Sequence, residues 1–441
     1  MSLSPATLGA LLAAAGLLLG SALVVGAVFR RLGQPTVIGE IAGGVLLGPT
    51  VLGALVPEVH RALFVAPAEA RVALGTLYEL GLLLLMFCSG LQVRSVFGPG
   101  ERRTAARITA LGVGVPLLLA GAAAGRVETE GLLGPAQSEP ALLLVLGVAV
   151  SVTSVPVISR IFLDLGILRT AFARIVLAAA VLEDVLLYAL LALAVSLAGG
   201  AHSGGGGLQQ WLGVEPGSAA ALACHVAATV AFLGVLLGPA PAWLMRLRRA
   251  PAVRDANRTA LLLLWLLAAS SAAVFLGIAP MLGALAAGIA ASREGEDGEA
   301  AERAVVEFSL AFPVPLYFAM VGLRLDFLGA FDPSFFLAFL AFACGVKLLG
   351  TYLGAWWAGE PPRSAANLAV AMNARGGPGI VLASVALDAG IVSEALYTSL
   401  VMLAVATSAL AGWWLRREVE RGRAVAPALA SGRSAEVGAS R

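Results

Sequence analysis

Two adjacent carboxylates, Glu183 and Asp184, stand in the middle of LAAAVLEDVLLYALLAL, and the only lysine of the chain, Lys347, stands in FFLAFLAFACGVKLLGTYLGAWW. Neither run holds any other charge. A carboxylate taken out of water binds a cation, binds a proton, or pairs with a base. A buried lysine gives up its proton readily, whereas arginine keeps its own. Every other basic position in the chain is arginine, which points to deprotonation as the reason for a lysine at 347. The plainer use, neutralising a buried carboxylate, is compatible with it. Neighbours on a helix point about 100° apart, so Glu183 and Asp184 cannot share one proton face to face. The spacing suits one carboxylate lining a cavity as a ligand and one meeting a neighbouring helix as an ion pair. Glu40 and Glu79 also lie in apolar stretches but nearer their ends, where a long side chain reaches water, and are read as structural.

Two further segments interrupt apolar runs. In VLGVAVSVTSVPVISRIF, Pro156 has no N–H for the carbonyl of Val152, and Thr153 and Ser154 place hydroxyls beside that gap. In LAVAMNARGGPGIVLASVAL, the succession Gly376, Gly377, Pro378, Gly379 breaks a helix beside a second buried cation, Arg375, and Asn373. Irregular backbone inside a membrane is tolerated only where it is buried in protein or lines a cavity. Paired breaks in oppositely directed segments mark an inverted repeat with a site at mid-depth. The two broken stretches are seven apart in chain order, so they cross in opposite directions. Thr153, Ser154 and the carbonyls freed near Pro156 and Pro378 are expected to line a path, with Gly377 and Gly379 leaving room where the segments cross.

These groups need a scaffold, and composition says which. The chain has 441 residues, 59% hydrophobic and 13% charged, about half the ~25% charge of soluble domains. Stretches near the ~20 apolar residues that span a bilayer number thirteen, at approximately 6–29, 36–55, 72–93, 104–125, 140–163, 171–198, 218–245, 259–277, 279–292, 308–323, 333–358, 364–387 and 394–415. The expected architecture is an all-α polytopic membrane protein: residues 1–416 form the membrane domain and 417–441 a short, disordered cytoplasmic tail. With the N-terminus outside and the C-terminus cytoplasmic, only Arg61, Arg71, Arg126 and Arg324 face outward. Lys347 and Arg375 lie within helices, and the rest of the 29 basic residues fall on the cytoplasmic side, as the positive-inside rule requires. Both Lys347 and the Glu183–Asp184 pair come out near the bilayer midplane at ~1.5 Å per residue. A Gly-rich connector spans Gly204 to Gly207. The net charge of +2 gives no nucleic-acid footprint. Cys88, Cys224 and Cys344 sit apart in apolar runs and read as core residues, so no cofactor is expected.

The segments GQPTVIGEIAGGVLLGPTVLG, LYELGLLLLMFCSGLQV, SVTSVPVISRIFLDLGILRT ahead of LED, and NARGGPGIVLA, in this order, resemble the cation:proton antiporter-2 family. The resemblance covers most of residues 6–416. It implies an NhaA-like inverted repeat with two crossed, broken helices, and exchange of a monovalent cation, Na+ or K+, for protons across a bacterial inner membrane. It implies further that Asp184 is the cation and proton ligand, with Thr153 beside it, and that Glu183 pairs with Lys347, which makes exchange electrogenic. The regions around Thr153 and Asn373–Gly379 match the family's unwound segments. Two other classes compete. A channel would need filter motifs or rings of like charge, and an intramembrane aspartyl protease would need acids facing each other from different helices. Neither pattern is present, and no enzyme activity is expected. The resemblance also implies a homodimer, and Gly39, Gly43, Gly44 and Gly48 give one helix a small-residue face that permits close packing.

Overall fold

In the computed structural model, residues 4–65, 68–91, 101–123, 131–168, 170–198, 219–249, 257–292, 299–329 and 331–421 are described. In chain order the helices are α1 (Pro5–Arg31), α2 (Thr36–Leu47), α3 (Pro57–His60), α4 (Ala68–Leu91), α5 (Glu101–Ala123), α6 (Glu139–Ser151), α7 (Val155–Asp164), α8 (Ala171–Leu197), α9 (Ala219–Leu237), α10 (Ala240–Arg249), α11 (Arg258–Phe275), α12 (Pro280–Ala291), α13 (Glu299–Ala311), α14 (Pro313–Leu323), α15 (Pro333–Trp357), α16 (Pro362–Ala371), α17 (Gly376–Asp388) and α18 (Glu394–Glu420). Each of the thirteen apolar stretches contains helix. Among the described residues, nine helices are long and apolar enough to cross a membrane alone, or ten when the bent pair α16–α17 is taken as one span. The apolar helices Glu139–Ser151, Ala227–Leu237 and Pro280–Ala291 are shorter.

Several boundaries differ from expectation for local reasons. The stretch at 308–323 begins earlier, at Glu299, and kinks at Phe312, where Pro313 removes a backbone donor. The stretch at 36–55 is helical only to Leu47; Gly48 is extended and a π-helical turn over Pro49–Gly53 follows. The last helix runs past 416 to Glu420, where Glu418 meets Arg363 at 3.4 Å. The Gly-rich connector and residues 422–441 lie outside the described residues.

The chain divides into two compact units. The first, Met1–Ser95 with Val195–Phe331, is built on backbone contact. A Cβ on Gly44 would stand 1.9 Å from the carbonyl oxygen of Ala319, and one on Gly322 would stand 2.0 Å from that of Ile41. Gly39 and Gly43 meet α1 in the same way. The small-residue face of α2 is therefore spent on α1 and α14 of its own chain, which withdraws it as a surface for a second copy. Packing between membrane helices draws on close van der Waals fit because lipid offers no hydrophobic driving force.

The second unit, Val96–Ala194 with Asp332–Arg441, is two helix triplets of the same plan: α5, broken α6–α7 and α8, then α15, broken α16–α17 and α18. Asp332 caps α15, accepting from the Ser334 hydroxyl and from the amides of Phe335 and Ser334. These bonds hold its carboxyl below the usual range. α15 lies antiparallel on α5: Lys347 reaches Gly112, a Cβ on Gly350 would stand 2.6 Å from the Leu111 oxygen, and Arg107 donates to the Trp357 carbonyl at 3.2 Å. The broken stretches are likewise opposed. Residues before α6 pair with the end of α17 (Gly134 to Ile391, Ala136 to Gly390), while the two breaks meet each other (Ser154 to Ala374). The inverted repeat with crossed, broken helices is thus seen within this one unit.

Gly44→Ala should lower the midpoint of thermal unfolding in detergent, since overpacking costs ~1–3 kcal/mol. Gly75→Ala, with nothing within 4 Å of the added carbon, should leave it unchanged or raise it slightly.

Candidate functional site

Helix α6 stops at Ser151, and its last four carbonyls need partners. The amide of Val152 donates to Val148 at 3.0 Å. Arg375 donates from Nε to Ala149 at 3.0 Å and from Nη2 to Val150 at 2.9 Å. Lys347 Nζ donates to Ser151. Two buried cations therefore sit at the end of a half-helix carrying roughly −0.5 of a charge. The break in the sequence and the two intramembrane cations turn out to be one feature.

Lys347 is fully buried, and its three donors are all used. Besides Ser151 it donates to Glu183 Oε1 at 2.8 Å and to the carbonyl of Gly112 at 3.3 Å. Glu183 is as deeply buried as its partner. A Cβ on Gly112 would lie 3.2 Å from both Glu183 Oε1 and Thr351 Oγ1 and 3.8 Å from Nζ. The bare α5 backbone at Gly112 is what lets the pair close. Removing one partner of such a pair costs ~3–5 kcal/mol, because the other is left as an uncompensated charge.

Among the described residues, Asp184 takes part in neither of the site's hydrogen-bonded groups. It is 4% exposed, and its Oδ1 is buried without a hydrogen-bond partner among the described residues. Glu183 and Asp184 thus differ: Glu183 Oε1 is paired with Lys347, while Glu183 Oε2 and Asp184 Oδ1 are both buried without a hydrogen-bond partner among the described residues.

The second break is closed from the first. Thr153 Oγ1 donates to the carbonyl of Met372, and the Ser154 amide donates to Ala374 at 2.6 Å. Arg375 Nη1 donates to Asn373 Oδ1 at 2.7 Å, and its Nη2 donates to Ala343 at 2.8 Å. Asn373 donates from Nδ2 to Cys344 Sγ at 3.3 Å. The Ser154 hydroxyl accepts from the Val157 amide at 3.3 Å, so it caps α7. Pro156 is the second residue of α7, and Gly377, Pro378 and Gly379 are buried in the first turn of α17. The tight glycine at the crossing is Gly376. Its φ of +36° is one L side chains rarely adopt, and a Cβ there would stand 2.3 Å from Val157 Cγ2 and 2.8 Å from Ser154 Oγ. Gly379 is less tight: an added Cβ would stand 3.3 Å from the Cβ atoms of Ala404 and Arg375, which would have to give by a few tenths of an ångström.

Contacts therefore gather the expected residues into two groups, Glu183–Lys347 and Thr153–Ser154–Asn373–Arg375–Gly376, joined through the end of α6. Sequence reading missed Gly112, Thr351 and the carbonyl of Ser151. It also missed Ser408, whose Oγ accepts from the Gly376 amide at 3.0 Å. A glycine or a backbone carbonyl in an apolar run gives no signal until its neighbour is known.

Gly376→Ala should abolish activity and lower stability, while Gly379→Ala should be far milder. Transport and melting point in detergent, measured on both, check the ordering. Gly112→Val should separate Glu183 from Lys347 and lower the melting point by the several degrees expected for a strained buried pair.

The profile of the family described as "Sodium/hydrogen exchanger, transmembrane" matches residues 19–421. Similar proteins include "Cation/H(+) antiporter 20" of Arabidopsis thaliana, 30% identical over 86% of this chain and 45% of that protein. "Na(+)/H(+)-K(+) antiporter GerN" of Bacillus cereus is 28% identical over 89% of this chain and 92% of its own length. "Na(+)/H(+) antiporter NhaS4" of Synechocystis is 25% identical over 89% and 92%. The chain spans under half the length of the plant relatives it matches. The fold is that of the sodium proton antiporter MjNhaP1 from Methanocaldococcus jannaschii, with a TM-score of 0.61 at 14% identity, covering 94% of this chain and 98% of that one.

Proposed function

The chain belongs to the sodium/hydrogen exchanger family, and from that premise we propose that it exchanges a monovalent cation, Na+ or K+, for protons by alternating access at Asp184. The observation that carries this reading is a buried Asp184 oxygen with no hydrogen-bond partner among the described residues, beside a Glu183 whose Oε1 accepts from Lys347 at 2.8 Å. An open, titratable carboxylate can hold either a cation or a proton, and the two exclude each other. The names of the relatives from Bacillus cereus and Synechocystis, which specify Na(+), K(+) and H(+), support the same ions here. The setting is a bacterial inner membrane, with the N-terminus outside and the C-terminus cytoplasmic, on the distribution of arginines. A homodimer is part of the proposal, through a surface other than the glycine face of α2. Thr153 belongs with Asp184 in the ion path, its hydroxyl oxygen keeping acceptor capacity while its proton is given to Met372.

Asp184→Asn keeps size and removes charge and titration. In proteoliposomes carrying a pH-sensitive dye, a salt pulse should collapse a pre-formed pH gradient with the unaltered protein and leave it standing with Asp184→Asn. Substantial cation-dependent proton movement by that variant would overturn the assignment.

The stoichiometry follows from Lys347. A cation replacing a proton at Asp184 leaves the charge of the site unchanged, so a further charge moves only if another group titrates. Lys347 is the group placed to do so: when the cation binds, the Glu183–Lys347 pair opens and the lysine releases its proton. Two protons then move against one cation. Each charge crossing is worth ~2.3 kcal/mol per 100 mV, or roughly a fifty-fold cation gradient at ~1.4 kcal/mol per decade. Transport should respond to an imposed potassium/valinomycin potential, and Lys347→Gln should reduce or remove that response. Indifference of the unaltered protein to potential would make exchange one for one.

A further inference from the structure

One buried polar group near the site has no part in the account so far. Tyr188 is 4% exposed, and its phenolic oxygen is buried without a hydrogen-bond partner among the described residues. It stands four residues after Asp184 on α8, the spacing that places two side chains on one face about 5–6 Å apart at Cβ. Long aromatic side chains on helices point back towards the N-terminus, so the Tyr188 ring covers the turn that begins at Asp184. Leu182 and Leu186 are exposed on another face of the helix, whereas Asp184 and Tyr188 are both buried. Phenylalanine would fill the same volume with no polar atom to satisfy, so the hydroxyl, unpartnered among the described residues, has a lone pair available to a ligand.

We propose that Tyr188 is a specificity-determining ligand of the transported cation, its phenolic oxygen coordinating the ion held by Asp184. The proposal rests on the Asp184 reading and extends it. An ion leaving water must replace several oxygens at once, and a single carboxylate supplies two at most. A phenol adds a lone pair without adding charge, so it strengthens coordination while leaving the charge balance with Glu183, Lys347 and Arg375 untouched. Because the oxygen rides on a rigid, buried ring on the same helix as Asp184, its distance from that carboxylate varies little, and a narrow range of distances discriminates ions by radius.

The test is Tyr188→Phe in proteoliposomes, with Li+, Na+ and K+ compared beside the unaltered protein and Asp184→Asn. The expected result is a rise of about tenfold in KM for the preferred cation, a maximal rate within about twofold, and a flattened ranking of the three ions. Stabilisation of the purified protein against heat by the preferred cation should fall in parallel, which reads binding without transport. An unchanged KM, ranking and cation-dependent melting shift would overturn the proposal, as would a loss confined to the maximal rate. If Asp184→Asn is inactive and Tyr188→Phe behaves as the unaltered protein, the tyrosine assignment alone fails. If Asp184→Asn still exchanges, the Asp184 site fails, and the tyrosine proposal with it.

Discussion

A helix that ends inside an apolar medium leaves carbonyls that no water can reach, and the end of α6 is such a place. Its last four carbonyls are taken by one amide, by the guanidinium of Arg375 and by the ammonium of Lys347. Much of the second unit can be traced to that requirement. Arg375 must come from the opposing break, so α16–α17 has to stop where it does. Lys347 must come from α15, which has to lie within reach of α5 and α6, and the bare backbone at Gly112 and the glycines at 350 and 354 permit that approach. Thr153 and Ser154 return the favour by satisfying Met372 and Ala374. The crossing is held by reciprocal repair of two interrupted helices, not by apolar packing alone.

That repair brings two positive charges together, and the carboxylates follow from it. Glu183 neutralises Lys347 at 2.8 Å. With Asp184 ionised, the four side chains sum to zero. On the proposed cycle, with a monovalent cation or a proton at Asp184 and Lys347 still charged, they sum to +1 in either case, and release of the Lys347 proton after cation binding returns the sum to zero. The two ligands are therefore electrostatically equivalent to the surrounding protein, a condition for their competing at one site. Competition between a cation and a proton is the elementary act of exchange, and it needs no bond to be made beyond coordination and protonation.

Most of the site's charged residues were legible because a charge in an apolar run has few excuses. Glu183, Asp184, Lys347 and Arg375 each stood out by type, and Pro156 and Gly376–Gly379 by their hostility to helix. The pairing of Glu183 with Lys347 came from family resemblance, since nothing in one sequence says which helices touch. The boundaries drifted where local chemistry decides them: the kink at Phe312, the extended Gly48, and the charged last turn of α18, which Arg363 anchors by pairing with Glu418. Gly376 was one glycine among four, and only its φ and the nearness of Val157 and Ser154 single it out. The glycine face of α2 was legible as a place of close approach while its partners were not, because small residues do not say what they approach; the partners are α1 and α14 of the same unit.

The difference between the two buried cations shows how the structure divides its labour. Arg375 has donors in a rigid planar fork and uses them on three α-helical carbonyls as well as on Asn373. Its work is geometric, and a group that never loses its proton suits work that must not lapse during a transport cycle. Lys347 has three donors, one given to a carboxylate that itself lies beside the open acid. An ammonium at this position can release a proton and leave Ser151 and Gly112 with a neutral amine still able to donate to them. A guanidinium here would be held too firmly, and an ammonium at 375, with three donors, could not serve Ala149, Val150, Ala343 and Asn373 together. On the proposed cycle, one lysine in a chain otherwise built with arginine answers to which buried cation stays charged and which is free to change.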